Sequence, residues 1–139
     1  MIALALALAA VLHRAPAHAV FAKPTACGDL LARIGHKPPG LVFERCRYLP
    51  DQQGKPLEAT YRVSGATAAT VERALGRSIG LHRLRYVCCG WEAPDVQFWV
   101  HGQWYRVVMV SGETVFHARA DWHRIPRFDV TVETDTEEI

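Results

Sequence analysis

The chain has 139 residues, 16 Lys plus Arg against 14 Asp plus Glu, and a formal net charge of +2. Half of its residues are apolar, which suits one domain with one core. The near balance of charge argues against nucleic-acid binding, which depends on many phosphate contacts.

In chain order, Ile2 to Leu12 is an apolar run closed by His13-Arg14. Ala15-Pro16-Ala17-His18-Ala19 then offers small residues at the −3 and −1 positions of a cut after Ala19. The run holds about 11 residues, well short of the ~20 that a membrane helix needs. Residues 1–19 therefore read as a signal peptide, although no Lys or Arg precedes the apolar run. Residues 20–139 read as a single α+β domain with an extended leader, 20–25, and an acidic tail, 133–139. The expected location is periplasmic or secreted, without stable membrane insertion after processing.

Thr25 is expected to cap a short helix over about Ala26–Ile34, with Leu30, Leu31 and Ile34 on its buried face. Gly35 and Pro38-Pro39-Gly40 end it. Leu41–Tyr48 and Leu57–Val63 read as paired strands joined by a hairpin loop. In the second, Leu57, Ala59, Tyr61 and Val63 alternate inward against Glu58, Thr60 and Arg62. Ser64 caps a second helix, about Ala66–Ile79, with Val71, Ala74, Leu75 and Ile79 as its apolar stripe.

Strands dominate the remainder. Arg83–Cys89 reads as a third strand, with Gly90 as a bulge or bend. Val96–Val100 and Trp104–Val110 form a hairpin about His101-Gly102-Gln103. With His101-Gly102 as the turn, Trp99 faces Trp104, Phe98 faces Tyr105 and Val96 faces Val107. Ser111-Gly112-Glu113 reads as a turn, Val115–Ala118 as a short strand, Asp121-Trp122-His123 as a loop or helical turn, and Phe128–Glu133 as a final strand. The fold class is α+β, a mostly antiparallel sheet of about five to six strands with two helices in the order α-β-β-α-β-β-β-β.

Cys27, Cys46, Cys88 and Cys89 all follow the signal, so disulfides are expected to staple the domain. Adjacent Cα atoms lie about 3.8 Å apart, below the usual disulfide span, which makes Cys88–Cys89 the least favoured pairing. On a strand these two side chains point to opposite faces. One then reaches Cys27 and the other Cys46, with the connectivity left open. Each bridge would close a loop of roughly 40–60 residues, worth on the order of 4 kcal/mol in the chain-entropy model. The chain has no C-x-x-C redox spacing, no paired zinc pattern, no H-E-x-x-H and no G-x-S-x-G. No catalytic residue is assigned and no cofactor is implied. The alternative is a hydrolase or metal-dependent enzyme that gathers His117, Asp121 and His123.

The aromatic residues between 91 and 128 carry the leading functional reading. Trp91, Glu92, Trp99, Trp104 and Arg106 are candidates for a binding surface if no helix covers the tryptophan face. The expected partner is another protein, and the expected role a non-catalytic inhibitor-like or immunity-like envelope module.

The run Tyr86-Val87-Cys88-Cys89-Gly90-Trp91-Glu92 resembles an uncharacterised family of small bacterial exported proteins, domain of unknown function 4952. Cys27-Gly28-Asp29, Lys37-Pro38, Tyr61-Arg62-Val63, Ser111-Gly112-Glu113-Thr114, Asp121-Trp122 and Val130-Thr131-Val132 fit in the same order. The likeness spans about Cys27 to Val132. It implies a bacterial, single-domain exported protein and carries no catalytic residues.

Overall fold

The computed structural model describes residues 26–139. The expected signal peptide, the leader and the Thr25 cap lie outside the described residues. Within them the order is α1 (Leu30–Arg33), β1 (Val42–Tyr48), β2 (Leu57–Val63), α2 (Gly65–Ile79), β3 (Arg85–Val87), β4 (Gly90–Glu92), β5 (Val96–Val100), β6 (Gln103–Glu113), a 3-10 helix (Arg119–Arg124) and β7 (Phe128–Thr134).

All seven strands join one sheet, and every pairing is antiparallel. The order is β1-β2-β7-β6-β4-β3, and β5 also pairs with β6. β6 is long enough to carry two partners end to end on one edge. Val96–Val100 runs beside its first half, while Gly90 and Glu92 pair with Glu113 and Val110. The α+β reading holds, with one strand more than expected.

Period-two alternation explains the sheet. Leu57, Ala59, Tyr61 and Val63 of β2 are buried, as are Phe128, Val130 and Val132 of β7 and Tyr105, Val107 and Met109 of β6. These form the core with Leu30 and Leu31 of α1, Ala68, Val71 and Leu75 of α2, and Trp122. Among the described residues the helices cover this face alone. Gly65 makes the junction between α2 and the 3-10 helix possible. A Cβ there would stand 1.9 Å from the Trp122 carbonyl oxygen and 2.2 Å from that of Ile125.

Several boundaries differ from expectation. α1 has a single turn, and Asp29 caps it by accepting the Ala32 N–H at 3.1 Å. The expected third strand, Arg83–Cys89, is instead the hairpin β3–β4, which turns at Cys88-Cys89. Ser111-Gly112-Glu113 continues β6. Val115–Ala118 forms no strand; Val115 is exposed, and Phe116 uses its carbonyl to accept the Trp91 Nε1–H at 2.8 Å.

Two buried polar groups tie helices to sheet. The Tyr61 hydroxyl donates to Asp29 Oδ1 at 2.8 Å and accepts the Leu31 N–H at 2.9 Å. Glu72, on α2, accepts the Leu84 N–H at 2.8 Å and pairs with Arg119. The Arg119 guanidinium also lies 4.1 Å from the Trp122 ring centroid and donates to the Leu84 carbonyl at 3.2 Å. Glu72→Ala leaves a buried donor and a cation without their acceptor, and is expected to cost about 3 kcal/mol by urea unfolding. Glu72→Gln keeps an acceptor and is expected to cost about half of that.

Burial raises the Asp29 pKa, but hydrogen bonds from Lys37, Tyr61 and Ala32 more than reverse this, so the carboxyl sits below its usual value. A carboxylate held low in the fold stabilises it above the unfolded-state pKa, and this contribution is lost as pH falls through the folded-state value. Wild-type stability is therefore expected to drop below about pH 4. Asp29→Asn, which keeps the cap, should flatten that limb in acid-titrated unfolding curves.

Candidate functional site

Among the described residues no helix lies over the second face of the sheet. The β5–β6 hairpin sets one end of this face. His101 and Gly102 both take positive φ, 50° and 74°, the conformation that a two-residue turn needs. The resulting register pairs Trp99 with Trp104, Phe98 with Tyr105 and Val96 with Val107, as the alternation predicts. The Phe98–Tyr105 pair stacks toward the core, with centroids 5.6 Å apart. The tryptophans point the other way. Their rings meet edge to face at 5.2 Å, yet Trp99 remains 58% exposed and Trp104 55%.

Backbone contacts hold this pair in place. The Thr134 hydroxyl donates to the Trp104 carbonyl at 2.9 Å, and Gln103 Nε2 donates to the Asp135 carbonyl at 3.0 Å. Beyond the tryptophans the face is polar. Arg106 of β6 pairs with Glu133 of β7, and Arg47 of β1 with Glu58 of β2. A bulge after Phe43 directs Glu44 toward Arg62 and Arg127, at 3.2 and 3.0 Å. With these charges matched in pairs, the two indoles are the largest apolar surface exposed on the face, ahead of the smaller Val42 and Val87.

Two hollows indent the same face. One, of about 480 Å³, lies beside Trp104 and is lined by Gln97, Arg106, Glu133 and Asp135. The other, about 890 Å³, lies where the chain passes from β4 to β5, between Arg83, Arg85, Glu92, Pro94 and Val108.

The predicted surface residues divide. Trp99, Trp104, Arg106 and Glu92 are exposed, and the first three share the hairpin end. Trp91 belongs to the core, not to the surface. It is 5% exposed and packs edge-on against Tyr86 and Trp122. Gly90 brings it there: a Cβ at Gly90 would stand 2.2 Å from the Gly112 carbonyl oxygen, so β4 presses close to β6 and turns the next side chain inward.

All four candidate cysteines are in disulfides, but the expected pairing is overturned. Cys27 bonds Cys46, with Cα atoms 5.4 Å apart, and Cys88 bonds Cys89, at 3.8 Å. The argument for opposite faces fails because Cys88 and Cys89 are not strand residues. They are the two loop positions between Val87 and Gly90, and Cys88 takes φ 57°. The Cys89 N–H donates to the Val87 carbonyl at 2.6 Å, closing a γ-turn around Cys88. That frees Cys27 and Cys46 for each other.

His117 precedes the 3-10 helix, and Asp121 and His123 lie within it. Among the described residues no group of three or more His, Cys, Asp or Glu side chains is placed to hold a metal ion. His117 Nδ1 lies 3.3 Å from the Val115 carbonyl, and His123 Nδ1 lies 2.9 Å from the Ala120 carbonyl. Each ring is thus engaged with its own local backbone. The sequence reading also overlooked Glu72. Its signal was a single acid beside the apolar stripe of a helix.

Fold and site together define a disulfide-bonded α+β domain with one covered and one open sheet face. The profile of domain of unknown function DUF4952 matches residues 14–91, more than half of the chain, and the protein belongs to this family. The match takes in all four cysteines and ends at Trp91, short of the Val132 limit expected from the motifs. No curated protein and no solved structure shows significant similarity to the chain.

The two bridges differ in what they constrain. Cys27–Cys46 spans 19 positions, so it ties the segment just before α1 to β1 and restricts the unfolded chain by about 3 kcal/mol in the entropy model. Cys88–Cys89 spans one position and closes no chain loop. Replacing Cys27 and Cys46 with serine is expected to lower unfolding stability by about 3 kcal/mol. The same change at Cys88 and Cys89 should cost less than about 1 kcal/mol, both read by urea midpoints.

Proposed function

We propose that this protein is an exported, non-catalytic domain that binds another protein through the open face of its sheet, in the manner of an inhibitor or immunity module. The observation that carries this reading is the Trp99–Trp104 pair. Two large aromatic side chains are more than half exposed at the end of a hairpin, fixed by its register and covered by no other element among the described residues. Tryptophan and arginine are the residues most often found to dominate the energy of protein interfaces, and Arg106 adjoins the pair. The partner that fits presents an apolar cleft for the two rings and a polar rim for the paired charges of Arg106 and Glu133.

Two observations support an oxidising location. Every cysteine is in a disulfide, which reducing compartments disfavour. The apolar run at residues 2–12 followed by a small-residue cleavage pattern has the form of an export signal. Among the described residues no helix is long and apolar enough to cross a membrane.

A photo-crosslinking residue at position 99, in cells that carry the full chain, is expected to give a discrete adduct with one partner. The same probe at Arg73, exposed on α2, should give none. With the probe moved to Gln97, exposed on the same strand face, Trp99→Ala with Trp104→Ala should abolish capture while changing unfolding stability by only about 1 kcal/mol. Indistinguishable adduct patterns from positions 99 and 73 would overturn the proposal.

A further inference from the structure

We infer that Cys88–Cys89 is an exchange-active disulfide, opened and closed by a dithiol, and that the loop it occupies is a redox site separate from the tryptophan face. Four features of the loop lead there. First, the bond has no stapling role, because it links neighbours and closes no loop of chain. Second, both of its residues are exposed, whereas Cys27 and Cys46 are half-buried and packed against the core. Third, it sits on an open groove of about 430 Å³, lined by Tyr86, Cys88, Cys89, Glu113, Thr114 and Val115, so an incoming sulfur can reach it without the fold opening. Fourth, a two-residue hairpin loop with positive φ is normally filled by Gly, Asn or Asp. Cysteine at φ 57° is a costly choice for a turn, and such outliers gather at functional sites.

The chemistry is ordinary exchange. A thiolate of the reductant attacks one of the two sulfurs, forming a mixed disulfide and releasing the other cysteine as a thiolate. The second thiol of the same reductant, deprotonated, then attacks its own sulfur in the mixed disulfide. The reductant leaves as a cyclic disulfide and the second cysteine is freed. Two electrons pass from the dithiol to the pair, and the dithiol's two protons end on Cys88 and Cys89. A monothiol is a poor partner for this site. After its first attack the released thiolate is on the adjacent residue and displaces it again before a second molecule arrives.

Opening should remain local. The Thr114 N–H donates to the Cys89 carbonyl at 2.7 Å, the Tyr86 hydroxyl donates to the Thr114 carbonyl at 2.7 Å, and the Trp91 N–H donates to Ser111 Oγ at 2.8 Å. These bonds hold the β3–β4 hairpin to the end of β6 whether or not the sulfurs are joined.

The test is rate-resolved alkylation of the native protein in dithiothreitol, with the four cysteines read separately by peptide mass spectrometry. Cys88 and Cys89 should label together and at least tenfold faster than Cys27 and Cys46. Glutathione at equal thiol concentration should label them at least tenfold more slowly than dithiothreitol. Phenylarsine oxide should bind the reduced protein one to one, and Cys88→Ser with Cys89→Ser should remove that binding. Labelling of Cys88 and Cys89 only in denaturant, or no faster than Cys27 and Cys46, would overturn the inference. Equal opening by glutathione would overturn the dithiol assignment. If the double variant does not fold, the wild-type labelling rates decide alone.

Discussion

A seven-stranded antiparallel sheet has two faces, and the described residues have helix enough for one. Everything else follows from how that shortage is met. On the covered face the inward residues of β2, β7 and β6 meet α1, α2 and Trp122; Tyr61 and Glu72, trapped there, are hydrogen-bonded, whereas the buried Trp122 indole N–H has no hydrogen-bond partner. On the open face the same strands present Glu58, Arg62, Asp129, Glu133 and Arg106, joined across the strands or through Glu44 and Arg127. Such ladders keep a wet sheet surface soluble while contributing little to stability. The exception is the hairpin end, where two indoles take the place of charges.

The parts legible in the sequence are those in which one period governs the whole element. β2 and β7 alternate without a break, α2 has a stripe and a terminating Gly80, and the turn chemistry of His101-Gly102 sets the hairpin register. The tryptophan face was therefore foreseeable from the alternation alone. Errors concentrate where an element is short or where a side-chain bond competes with the pattern. Arg85–Val87 and Gly90–Glu92 have three residues each, too few to show a period, so a hairpin looked like one continuous strand. The Val115–Ala118 stretch has strand-forming residues, but its backbone serves Trp91 and not a ladder. Trp91 itself could not be distinguished from Trp99 by composition; the close approach of Gly90 to Gly112 decides its direction.

The cysteine pairing shows how one wrong local assignment spreads. Treating Cys88 and Cys89 as strand residues sent their sulfurs apart and forced long bridges. Treating them as a loop, as Val87 opposite Gly90 requires, brings the sulfurs onto one groove and leaves the short bridge from just before α1 to β1. The residues matched to the family include both bridges, and in this chain the two disulfides have opposite characters: one half-buried and spanning 19 positions, the other exposed and joining neighbours.

β7 follows the other six strands in sequence but occupies the middle of the sheet, flanked by β2 and β6. A polypeptide emerging N-terminus first must therefore wait for this strand before its two halves can join. During that interval β2 and β6 each display an unsatisfied row of amides to their surroundings, the condition under which strands recruit foreign chains. Pairing across such sequence distances forms slowly, so the order of strands in the chain sets how long these two edges stay open.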